Sequence, residues 1–128
     1  MSGNFLLDTN ILIAFFKQDP NVLKEISRSS IYVPSLVIGE LWFGSEKSSK
    51  KKNNQKQILA LIEEVTILPV TTETAKHYGL VKNGLKQKGT PIPENDIWIS
   101  AVTKEYDMTL VTRDAHFFNI ESIKISKW

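Results

Sequence analysis

Short apolar runs alternate along this chain with longer stretches whose apolar positions recur every three or four residues. Phe5-Leu6-Leu7 predicts a strand, and the apolar run Ile11–Phe16 can supply the buried face of a helix capped by Asp8 or Thr9. Pro20 can open a second helix to about Ser27, with Val22, Leu23 and Ile26 turned inward. A strand at Ile31-Tyr32-Val33 then leads through Pro34-Ser35 into a helix from Leu36 to about Ser45. Residues 54 to 64 return to helical spacing through Ile58, Leu61 and Ile62, with Val65 continuing the face. Val65 to Val70 reads as a strand, and Thr72 to about Lys88 as a long helix on Ala75, Tyr78, Val81 and Leu85 that Gly89 closes. After the turn-rich TPIPEN come a helix from Ile97 to about Tyr106 and two short strands, Thr109–Thr112 and Ile123–Ile125.

Strands that alternate with helices predict an α/β fold: a mainly parallel central sheet flanked by helices on both faces. The length of 128 residues fits a single domain over 1–128, and 41% hydrophobic against 23% charged residues supplies a core and argues against disorder. Cysteine is absent, which excludes disulfides, cysteine nucleophiles and thiolate metal sites. No apolar run reaches membrane-spanning length and the first residues lack an export signal, so the expectation is a soluble, cytoplasmic protein. The net charge of +2 is too small to indicate a nucleic-acid partner. Lys47, Lys50, Lys51, Lys52 and Lys56 form a basic block that reads as a solvated loop and helix start, the segment expected to be most mobile, or as a contact for a phosphate backbone.

Four acids stand where apolar neighbours ought to be buried. Asp8 follows the first strand, Glu40 lies within LVIGELWFG, Asp96 opens DIWISAV and Asp114 ends LVTRD. In a helix over 36–45, Leu36, Val37 and Phe43 place the Glu40 carboxylate on or beside the packed face. An unpaired carboxylate there requires a cation, hydrogen bonds or a raised pKa. Asp96 or Asn95 can instead cap a helix, and Asp114 can serve a turn. Glu25, Glu63, Glu64 and Glu105 read as solvated acids on polar faces or helix ends.

Asp8 and Asp114 both follow strands, and the carboxyl ends of parallel strands line the usual binding crevice. If Glu40 and Asp96 reach the same crevice, the four form one acidic pocket, which a divalent cation can hold ionised. Oxygen donors favour magnesium or manganese. Such a pocket suits phosphodiester hydrolysis, with one or two ions and a carboxylate that accepts the proton of the attacking water.

The segments LLDTNILI, SLVIGELWFGSEKS, IPENDIWISAV and LVTRDAHFFNI together resemble a PIN-domain ribonuclease, more narrowly the toxin of a VapBC-type toxin-antitoxin pair. The resemblance spans nearly the whole chain. It implies a PIN-like three-layer sandwich and assigns Asp8, Glu40, Asp96 and Asp114 to the catalytic, metal-holding acids, with magnesium or manganese as cofactor. It also implies that Asn10 and Thr112 support the first and last acids. The expected substrate is RNA, and the expected partners are a second copy of the chain and a cognate antitoxin whose tail occupies the cleft.

Other readings stay open. Arg113 and His116 are candidate substrate contacts, although a surface arginine and a turn histidine account for them as well. Trp42, Phe43 and Trp98 suit core, subunit interface or antitoxin contact, and Trp42 and Phe43, being adjacent on a helix, point different ways. A DNA or flap-type nuclease would use the same acids, but the chain has little room for extra duplex-handling elements. A haloacid-dehalogenase-like phosphatase would need a second aspartate at the position of Asn10. A non-catalytic nucleic-acid-binding or protein-interaction module would leave the acids as caps and solvated edges.

Overall fold

In the structure, a computed structural model that describes residues 3–128, the five predicted strands form one sheet. They are β1 (Asn4–Leu7), β2 (Ser30–Pro34), β3 (Thr66–Leu68), β4 (Thr109–Val111) and β5 (Lys124–Ser126), in the order β3-β2-β1-β4-β5. Every pairing is parallel. Six helices connect them: α1 (Thr9–Phe16), α2 (Pro20–Ser27), α3 (Ser35–Glu46), α4 (Lys51–Glu64), α5 (Thr72–Lys88) and α6 (Glu94–Tyr106). A 3-10 turn over Ala115–Asn119 precedes β5.

The strand order reverses at β1. The chain moves outward from β1 to β2 and β3, then crosses back to β4 on the other side of β1. Right-handed crossovers running in opposite directions assign their helices to opposite faces of the sheet. The reversal opens a crevice at the carboxyl ends of β1 and β4. Both central strands are buried there: Leu6, Leu7, Leu110 and Val111 are fully covered.

Several local expectations change on the way from pattern to packing. The lysine block is largely helix, because α4 begins at Lys51 and carries Lys52 and Lys56 as well. Glu46 ties this start down, accepting from Lys51 Nζ at 2.9 Å and from Gln55 Nε2 at 3.2 Å. On α2, Val22 is buried but Leu23 is exposed.

Helix α5 has the expected span, yet Ala75 faces solvent and Thr74 takes the inward position. Thr74 Oγ1 donates to Glu105 Oε1 at 2.6 Å, so Glu105 is a bridging acceptor between α5 and α6 and not a solvated acid. Gly89 ends α5 in the left-handed region at φ 69°, where a side chain would be strained. The β3 strand is shorter than the apolar run that predicts it, stopping at Leu68 before Pro69. Trp42 is half-buried and Phe43 exposed, as their adjacency on α3 requires. Among the described residues no helix is long and apolar enough to cross a membrane.

Candidate active site

Leu7 of β1 pairs with Val111 of β4, so the chain emerges at Asp8 and Thr112 side by side. The Asp8 amide donates to the Val111 carbonyl at 3.0 Å and extends that pairing by one residue. Asp8 is buried and caps α1, its Oδ1 accepting from the Thr9 amide at 2.8 Å. Its Oδ2 accepts from Thr112 Oγ1 at 2.7 Å and from Asn10 Nδ2 at 3.3 Å.

Thr112 is completely buried, and its hydroxyl also accepts from the Asp114 amide at 3.0 Å. Asn10 Oδ1 accepts from the Arg113 amide at 3.2 Å. The two supporting residues thus join the loop after β1 to the loop after β4, 102 positions apart in the sequence.

Asp96 lies in the first turn of α6, one turn inside a cap position held by Pro93. It does not cap the helix with its side chain. Its Oδ2 instead sits 3.1 Å from His116 Nδ1. Asp114 retains the turn role expected of it, accepting from the His116 amide at 3.0 Å and starting the 3-10 turn. Its Oδ1 is also 3.0 Å from His116 Nδ1. Ligand atoms of Asp96, Asp114 and His116 all lie within 4.8 Å of one another.

Glu40 approaches from α3. Val37, one turn before it, is buried, whereas Phe43 on the other side is exposed. The Glu40 Oε1 atom is buried without a hydrogen-bond partner, as is Thr9 Oγ1. Both residues line a cavity of about 470 Å³ that is also lined by Lys50, Asn53 and Asn54 at the start of α4. A larger groove of about 740 Å³, lined by Leu12, Phe16, Leu23, Ile26 and Leu61 among others, contains none of the four acids.

Three of the acids hold their protons above the ordinary carboxylate range. Burial raises Asp8, opposed by the Thr112 and Thr9 hydrogen bonds and reinforced by the charge of Asp114. Glu40 is raised by burial and then by the charges of Asp8 and Asp96; the Thr9 hydroxyl opposes this, though without a hydrogen bond of normal geometry. Asp96 is raised by burial and by Asp8 and Asp114, with His116 working the other way. The charges are thus linked pairwise, Asp8 with Glu40, Asp96 and Asp114, and Asp96 with Glu40 and Asp114, although only Asp96 and Asp114 bring ligand atoms into one group with His116. Such a set fits a divalent cation: the donors are oxygens with one imidazole, the charges repel without it, and one buried oxygen is left unpaired.

Arg113 is engaged elsewhere. Its Nη2 donates to Asp19 Oδ2 at 3.0 Å and to the Trp128 carbonyl at 2.9 Å, and its Nε to the same carbonyl at 3.2 Å. Asp19 is held below its ordinary pKa first by the Arg113 hydrogen bond, a role with no sequence signal because Asp19-Pro20 marks only a helix start. The unpaired Thr9 hydroxyl in the cavity wall is a second feature without a sequence signal.

The family model described as the PIN domain matches residues 5–122. The chain is 30% identical over 128 residues to Ribonuclease VapC2 of Haemophilus influenzae, covering 97% of each chain. It is also 30% identical to the tRNA(fMet)-specific endonuclease VapC of Salmonella typhimurium, with the same coverage. Among solved structures, VapBC2 from Rickettsia felis bound to a promoter DNA fragment superposes with a TM-score of 0.90 at 27% identity, covering 98% of both chains.

Proposed function

The chain belongs to the PIN-domain family, and from that premise we propose that it is an endoribonuclease toxin, related to the VapC ribonucleases and restrained by a cognate antitoxin. The convergence of Asp8, Asp96 and Asp114 at the carboxyl ends of β1 and β4, with the buried, unpaired oxygen of Glu40 near enough to feel the charges of Asp8 and Asp96, carries this reading. These four are the catalytic acids, and they would hold one or two magnesium or manganese ions. When bound, the cation supplies positive charge to the scissile phosphate and helps ionise the attacking water.

The residues of the chain set the geometry. Thr112, Asn10 and the Thr9 amide hold Asp8 in one orientation, so that oxygen need not reorganise during the reaction. Thr112 also fixes the loop that carries Asp114. Glu40, with a free buried oxygen and a raised affinity for protons, is suited to accept the proton of the attacking water. The neighbouring cavity, lined by Glu40 together with Lys50, Asn53 and Asn54, suits an RNA strand whose phosphates and base edges meet cations and amides. Arg113 acts in the architecture of the loop through Asp19 and Trp128, and the active species is a homodimer.

The relative from Salmonella typhimurium is named a tRNA(fMet)-specific endonuclease, which makes tRNA(fMet) the first RNA to test. Asp8→Asn, Glu40→Gln and Asp96→Asn should each lower the cleavage rate by at least about 100-fold while circular dichroism shows an intact fold. Folded variants that cleave as fast as the parent, or full activity after chelation, would remove the mechanism. Cleavage of DNA in preference to RNA would replace the substrate class and leave the acidic chemistry standing.

A further inference from the structure

His116 takes no part in the mechanism above, yet its ring stands between two of the acids. Its Nδ1 is 3.0 Å from Asp114 Oδ1 and 3.1 Å from Asp96 Oδ2. Adjacent donors in an octahedral shell about 2.1 Å from an ion are themselves about 3 Å apart. The ring is placed by more than chance: the His116 amide is tied to Asp114, and Phe117, the next residue in the turn, is completely buried. The backbone that carries the ring is thus fixed on both sides, and the two carboxylates meet its Nδ1.

We propose that His116 is a ligand of the metal centre, and that its imidazole makes this centre prefer manganese to magnesium. The inference rests on the reading that the acids hold a divalent ion, and it adds a nitrogen donor to an otherwise oxygen set. Magnesium is a hard cation that takes oxygen donors and keeps several waters. Manganese stands at the weak end of the first-row series and also favours oxygen, but it accepts an imidazole nitrogen more readily than magnesium does, so between these two ions replacing one oxygen by Nδ1 shifts the choice toward manganese. Asp96 and Asp114 are the acids whose ligand atoms group with Nδ1, and Asp8 and Glu40 would complete the acidic set around them.

The test uses the full chain stripped of metal, titrated separately with manganese and magnesium chloride, alongside His116→Ala and His116→Asn. Pulsed electron paramagnetic resonance of the bound manganese should show nitrogen hyperfine coupling in the parent and none in His116→Ala. The only other histidine, His77, lies on α5 beside Glu73, so the coupling reports His116. Manganese affinity should fall at least about tenfold in His116→Ala while magnesium affinity changes by less than about twofold. His116→Asn, which restores an oxygen donor, should lose the manganese preference and keep magnesium binding. Absence of nitrogen coupling in the parent, or equal loss of both ions, would overturn the assignment. So would tighter binding of both ions by His116→Ala, which would show that the ring occupies the place of the ion. These results differ from failure of the metal centre itself, which would appear as no manganese binding by the parent, or binding that survives Asp96→Asn with Asp114→Asn.

Discussion

Glu40 shows what a single residue contributes when its neighbours leave it unsatisfied. Its pKa is raised above 4.5, first by burial and then by Asp8 and Asp96, so the folded protein binds a proton there more readily than the unfolded chain. The group therefore opposes folding once pH exceeds the folded pKa, and that penalty fades as pH falls toward the unfolded value. In the presence of a chelator, Glu40→Gln should be more stable than the parent at pH 7, and the difference should shrink as pH is lowered through the window above 4.5. Calorimetric melting of both proteins across that range measures this; parallel profiles would contradict it. Asp19 has the opposite sign, since Arg113 holds its pKa down, but it is common to both proteins and cancels in the difference. Thr112 is the complementary case. It is buried, donates to Asp8 and accepts from Asp114, so Thr112→Val should destabilise by about 1–3 kcal/mol in denaturant titration, with Thr112→Ser recovering much of it.

At the scale of elements, the join between α5 and α6 illustrates both how far the pattern reads and where it stops. Spacing places α5 correctly because Val81 and Leu85 are buried one turn apart and Gly89 supplies the left-handed end. It misplaces the first turn, since hydrophobicity favours Ala75 over Thr74 and carries no information about Glu105, 31 positions away. Thr71 and Thr74 cap the helix reciprocally, and the Thr74 hydroxyl then reaches α6. Thr74→Ala should therefore cost about 1–2 kcal/mol in denaturant unfolding. A double-mutant cycle with Glu105→Gln should give a non-zero coupling, and additive effects would remove the bridge. The site follows the same division. Asp8 and Asp114 are legible because strand ends in a parallel sheet share a crevice, and Asn10 and Thr112 because the family resemblance assigns them. The Arg113–Asp19 pair and the closeness of His116 to Asp96 arise only from tertiary packing, which has no local signature.

For the whole molecule, the reversal of strand order at β1 concentrates charge where the fold would otherwise gain nothing from it. Three acids with raised pKa values, plus Asp114 acting on two of them, share one edge of the sheet. The metal-free protein at neutral pH therefore carries repulsion that its unfolded chain, with the carboxylates apart and hydrated, does not. A cation bound only by the folded state reverses that balance. At a free concentration of about 100 times its dissociation constant, it adds about 2.7 kcal/mol to stability. For a chain of this length that raises the melting temperature by roughly 10 °C. The increase should decline as pH is lowered, because Asp8, Glu40 and Asp96 protonate in the metal-free protein and no longer offer charge to the ion. Glu40→Gln, with less repulsion to relieve, should melt higher than the parent without metal and gain less when manganese is added. Thermal melts with chelator and with manganese, at pH 7 and pH 5, decide this. A manganese shift of the same size at both pH values, or in both proteins, would separate metal binding from the four acids.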